Sequence, residues 1–149
     1  MKTIICITFL LISVSLFSQK QTTAYFEFTC DCTKVNTSHN SKRNSWSFEY
    51  ENVKDEVLIA IDVKVNPKKE NYPKELIDKL VTDLGYIKTT IGSFRNLYAT
   101  VSVGQSQGYY LRKSTFNSNY RMYIVSVISS NKRLSQTIFN QIEESFIIK

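Results

Sequence analysis

The stretch EVLIAIDVKV (56–65) constrains the fold more than any other in the chain. Val57, Ile59, Ile61, Val63 and Val65 fall on one side of an extended backbone, and a period of two belongs to a strand rather than a helix. The opposite side loses its apolar character only after Ala60. That pattern predicts a central strand, covered on both faces at its start. Around it, AYFEFTCD (24–31) alternates with Ala24, Phe26, Phe28 and Cys30 on one face, and WSFEYE (46–51) points Trp46, Phe48 and Tyr50 inward. YIKTTIGSFRNLYATVSV reads as one long strand, or as two broken near Gly92. GQSQG (104–108) is a flexible connection, and residues 109–116 and 120–129 form a hairpin around Asn117, Ser118 and Asn119. Residues 33–45, TKVNTSHNSKRNS, are polar and rich in turn formers, and predict a loop.

Two segments carry helical spacing instead. Pro73 suits a first turn, Leu76, Ile77, Leu80, Val81 and Leu84 recur on one face, and Gly85 stops the run, so a helix is expected over 73–84. A second is expected over 131–144 through Leu134, Ile138, Phe139 and Ile142, capped by Ser130 or Asn131 and followed by a short tail strand. The expected fold class is therefore α+β: an antiparallel sheet flanked by two helices, with Trp46, Phe48, Ile59, Ile61, Leu80, Ile124, Ile138 and Ile142 in the core.

The chain opens MKTIICITFLLISVSLFSQKQ, with Lys2 before an apolar run from Ile4 to Phe17 and small or polar residues after it. A basic start, a short apolar centre and a small-residue exit are the layout of a secretory signal peptide. The run falls short of the roughly 20 residues a spanning helix needs. Residues 1–18 are read as a signal peptide and 19–149 as one domain, periplasmic or secreted, touching the membrane only through the transient leader. Cys6 lies too early to serve as a lipoprotein cysteine. Losing Lys2 from 19 basic residues leaves 18 against 13 acidic ones, a net +5. The basic residues occur as scattered pairs such as Lys42–Arg43 and Lys132–Arg133 with acids between them, a solvated surface rather than a nucleic-acid site.

Cys30 and Cys32 flank Asp31, and an even number of cysteines in an oxidising compartment favours pairing. On a regular strand, side chains two apart stand about 6–7 Å from each other at Cβ, against the roughly 3.8 Å of a disulfide. Pairing therefore needs the strand to end and turn through Asp31. A local disulfide is the preferred reading, with two free thiols, a metal clip or an intermolecular bond as alternatives. The clip is disfavoured because the spacing to His39, the only histidine, matches no structural zinc pattern and supplies no fourth ligand. His39 sits among polar residues with no orienting carboxylate or nucleophile motif, so no catalytic residue, metal or cofactor is assigned. Asn36-Thr37-Ser38 is a sequon that marks only an exposed segment.

The remaining signal is aromatic. Tyr98, Tyr109, Arg112, Tyr120 and Arg121 fall on the later strands, and Tyr with Arg is the pairing favoured at recognition surfaces. Tyrosines are also favoured on strand faces for packing alone.

The last third, from YLRKSTF through NYRMYIVSVIS to IFNQIEESFII, resembles the C-terminal half of the Mog1/PsbP-like proteins. Tyr123 stands in the second strand of that pattern, and the pair Ser145–Phe146 closes its helix. The resemblance implies an α-β-α sandwich and an accessory or binding role, and it brings no catalytic residues. The expected function is thus an exported, non-catalytic binding protein of the bacterial envelope. It would recognise an envelope protein or surface ligand through the outward faces of strands 94–103, 109–116 and 120–123. The alternative is a small secreted hydrolase whose site is assembled only in three dimensions.

Overall fold

The computed structural model describes residues 18–149, so all but the last residue of the expected signal peptide lies outside the described residues. Of the described residues, 57% are in strands and 14% in helix. Strands β1 (Gln19–Thr22) and β2 (Phe26–Cys30) form a three-stranded sheet with the C-terminal β11 (Ile147–Ile148). The larger sheet has eight strands. One meander contributes β3 (Thr33–Asn40), β4 (Ser45–Asn52) and β5 (Val57–Val65). A second contributes β6 (Thr82–Asp83), β7 (Ile87–Phe94), β8 (Leu97–Ser106), β9 (Tyr109–Ser118) and β10 (Arg121–Ser129). The order is β3-β4-β5-β10-β9-β8-β7-β6, joined where β5 pairs antiparallel with β10. Helix α1 (Lys74–Asp78) lies in the connection between the meanders, and α2 (Lys132–Ser145) follows β10.

This architecture corrects the α+β sandwich, and with it the sandwich that the Mog1/PsbP resemblance implied. The described residues form two antiparallel sheets with two helices, the first only five residues long. The helix expected over 73–84 ends at Asp78, and Leu80, Val81 and Leu84 are 40%, 45% and 57% exposed. An isolated helix this short cannot sustain itself, so its length is set by what it packs on. The sheet face beneath it carries Thr89, Thr100, Ser102 and Thr115, which are buried and mostly small, and Ile77 is the one residue of α1 buried there. Leu80, Val81 and Leu84 stay exposed, and the chain pairs as β6 at Thr82–Asp83 instead. The loop expected over 33–45 is the second correction. Residues 33–40 form a strand, every residue of which is exposed, followed by a turn. An edge strand wet on both faces has no alternation to read. The break in the long strand falls at Arg95–Asn96, both at positive φ, rather than at Gly92.

The core lies between the two sheets and α2. Ile59, Ile61 and Val63 of the opening stretch are fully buried, as are Tyr123 and Val125 beside them on β10. Phe48, Ile138 and Ile142 join this core, whereas Leu80 is exposed and Trp46 and Ile124 are only half-buried. Phe146, the residue after α2, fills the centre. Its ring stacks on Phe26 at 5.3 Å and meets Phe94, Phe116 and Tyr123 edge-on at 5.4, 6.0 and 6.2 Å. Ser145 places it there. Its hydroxyl accepts the Thr29 N–H at 3.0 Å and donates to the Gln141 carbonyl at 2.8 Å, pinning the end of α2 to β2.

Candidate functional site

The register of β7, β8 and β9 sets Lys88 opposite Val103, and Val103 opposite Arg112. Directly opposed residues of an antiparallel pair share a face, so the two cations project from the same side of the sheet. They stand two strand spacings apart, roughly 10 Å, with Val103 between them. This is the α2 side. The helix packs chiefly on β2, β9 and β10, and Val103 remains 44% exposed. The first turns of α2 bring Lys132 and Gln136 over the row, closing a cavity of about 290 Å³ whose other walls include Tyr86 and Tyr110. Gly104 makes one wall possible. A side chain there would meet the Tyr86 carbonyl oxygen and Ile87 at 2.5 Å, and the close approach lets the Gln105 N–H donate to that same carbonyl at 2.9 Å.

Charge distinguishes this cavity. Lys88, Arg112 and Lys132 line it, and no carboxylate does. Among the described residues both ion pairs centre on Glu27, so none of the three cations has a partner at salt-bridge distance. Asp83 faces Lys88 in register, but its carboxylate accepts the Gly85 N–H at 3.0 Å. The first turn of α2 carries no acidic residue, only Lys132 and Arg133, although a helix N-terminus is itself positive and disfavours cations. The Arg112 guanidinium lies 5.2 Å over the Phe139 ring, and its Nε is buried without a hydrogen-bond partner. Three uncompensated cations and a positive helix end around one concavity are mutually repulsive until an anion enters.

Of the five residues singled out from the sequence, the pocket holds Arg112 alone. Tyr98 lies on the opposite face, where its hydroxyl bonds Asp78 and its ring carries Lys74 Nζ at 4.2 Å, fastening α1. The Asp78 hydrogen bond holds the Tyr98 phenol above its ordinary range. Tyr109, 54% exposed, lines a shallow hollow with Leu58 and Ile128 on that same face. Tyr120 sits in the β9–β10 turn at φ 62°. Arg121 lies 5.2 Å over Tyr25 and donates to the Lys149 carbonyl, a tie between termini and sheet. They do not form one surface. Lys88 and Lys132 were missed because nothing in their spacing links them. The single local sign was a helix start with lysine and arginine where acids are favoured.

Cys30 and Cys32 lie at disulfide distance, Cα atoms 5.2 Å apart, where the chain bends at Asp31 between β2 and β3. His39 belongs to β3 and stacks on Trp46 at 4.3 Å. Among the described residues no group of three or more His, Cys, Asp or Glu side chains converges. The cavity's own titratable groups are lysines, arginine and tyrosines, without the histidine or carboxylate that general acid–base chemistry uses most often. The arrangement suits holding an anion.

No protein-family model matches this chain, and no curated protein matches it.

Proposed function

We propose that the protein is an exported, non-catalytic binding protein of the bacterial cell envelope that holds an anionic group of its ligand between Lys88, Arg112 and Lys132. One observation carries this reading: a concavity lined by three cations, none ion-paired among the described residues, at the positive end of a 14-residue helix. Phosphate, sulfate and carboxylate groups answer to it, since Arg offers a planar fork and lysines add point charges. Tyr86 and Tyr110 supply ring surface for the body that carries the charge. Export is supported by the leader-like residues 1–18. The binding role is favoured over hydrolysis because the cavity brings cations together without a nucleophile–base pair.

Thermal unfolding across a panel of organic phosphates, sulfates and dicarboxylates tests the reading. A ligand at a hundred times its Kd raises stability by about 2.7 kcal/mol. At least one class should give saturable stabilisation that vanishes in Arg112→Gln with Lys132→Gln and weakens with added salt. Equal stabilisation of the double variant, or none in any class, would overturn it.

A further inference from the structure

We infer that β3 is a docking edge for an extended peptide segment of a partner protein, which adds to the large sheet as a ninth strand. Strand β3 is eight residues long, wholly exposed, and among the described residues paired only with β4. The groups of an edge strand that point away from its neighbour are a template for another strand. No backbone N–H or C=O of Thr33–Asn40 has a partner among the described residues outside the β4 ladder. The opposite edge of the same sheet is blunted, because β6 is only two residues long. On β3 the blunting devices are confined to one end: Lys34 and the bulge at Val35. Asn36–Asn40 continues in regular register, without proline, and carries no lysine or arginine.

The surroundings say what would lie there. Ser38 and Asn40 border a hollow of about 400 Å³ on the sheet face opposite α2, floored by Met122 and Ile124, where Arg43 and Lys64 outnumber Asp62. Neither cation is ion-paired among the described residues. On the other face, His39 stacks on Trp46, and Trp46 meets Tyr25 at 5.0 Å. Alternate side chains of an added strand fall on alternate faces. The fitting segment therefore presents acidic residues on one side, toward Arg43 and Lys64, and aromatic or branched residues on the other, beside the ring stack. A second copy of this chain fits poorly. Two-fold antiparallel pairing would set Lys34 of each copy near the other's Lys42–Arg43 turn, like charge against like. The edge is also separate from the cationic pocket: β4, β5 and β10 lie between them.

The probe is the synthetic peptide acetyl-Ser-Phe-Glu-Val-Glu-Phe-Thr-amide, titrated into the isotopically labelled protein. Amide shifts should concentrate in residues 36–47, and amide exchange should slow at alternate positions of Asn36–Asn40. Replacing both glutamates of the peptide by lysine, or making the exposed edge substitution Thr37→Lys, should each weaken binding about tenfold or more. The Thr37→Lys variant must keep the wild-type melting temperature for its result to count, and the lysine peptide needs no variant at all. Binding absent up to about 1 mM peptide, shifts centred elsewhere, or equal affinity of the lysine peptide would overturn the proposal. So would protection of these amides in a concentration-dependent dimer without peptide, which would make the occupant a second copy.

Discussion

Replacing Phe146 by alanine should be among the most damaging single changes the fold can suffer, although the residue lies three before the last residue, Lys149, and just outside α2. Its side chain is 2% exposed and touches rings from both sheets: Phe26 and Phe28 of β2, Phe94 of β7, Phe116 of β9 and Tyr123 of β10. Burial of a Phe side chain is worth about 1.5–3 kcal/mol by area alone. The cavity left among rigid neighbours brings Phe→Ala losses to about 3–5 kcal/mol. With rings of both sheets around it, collapse of the site is difficult, so the upper half of that range is expected. Against a total of about 5–15 kcal/mol this leaves a folded but fragile protein. Urea titration followed by fluorescence of Trp46, the single tryptophan, measures it. At a slope of about 1.5–2 kcal/mol per molar, the midpoint should fall by about 2–3 M. Leu80→Ala is the matched control. A helix through 84 with Leu80 in the core would make that change cost about 2–5 kcal/mol, whereas a 40% exposed leucine should cost under about 1 kcal/mol. A Phe146→Ala loss below about 1.5 kcal/mol, or a Leu80→Ala loss as large as that of Phe146→Ala, would refute the account of this core.

Three further outcomes are expected. Glu27 bridges Lys20 of β1 at 2.6 Å and the terminal Lys149 at 3.4 Å, and Lys20 above all holds its carboxyl below the usual range. A depressed carboxyl contributes stability above its unfolded value that is lost as pH falls through the folded one, so acid melting curves of Glu27→Gln should be flatter than wild type below pH 4.5. Burial pushes the Tyr50 phenol up to about 12, so stability is full below pH 10 and declines as pH rises toward 12. Tyr50→Phe should remove the latest-ionising phenol from the 295 nm absorbance titration at little cost in stability, because that hydroxyl has no partner. Denatured, non-reduced protein from its native host should start near Gln19 by mass spectrometry and react with a thiol reagent at neither Cys30 nor Cys32. A retained leader would add Cys6 as one reactive thiol.

The cationic pocket was legible only in fragments. Arg112 was singled out, but as part of a tyrosine-rich outward face, and its face was decided by pairing: opposite Val127 and Val103 it points toward α2. Lys88 and Lys132 are ordinary surface lysines until β7, β8 and the start of α2 come together. The cluster of cations is a property of that juxtaposition, and no local pattern encodes it.

For three elements with one apolar and one polar face, local order alone was sufficient. Val57–Val65, Phe26–Cys30 and the α2 stripe Ile138–Phe139–Ile142 are what their spacing says, because the alternation itself is the imprint of burial. Tertiary structure decided the rest where that imprint is missing or contradicted. Strand β3 exists because β4 offers it a ladder, with no side chain buried to announce it. Helix α1 stops at Asp78 with only Ile77 buried, and the chain beyond it pairs as β6 with β7 while the periodic leucines stay exposed. The three lysine and arginine charges share one hollow only because a cross-strand register and the start of a helix converge on it. Periodicity records burial, and it is silent about edges, about unpartnered faces and about charges brought together from distant parts of the chain.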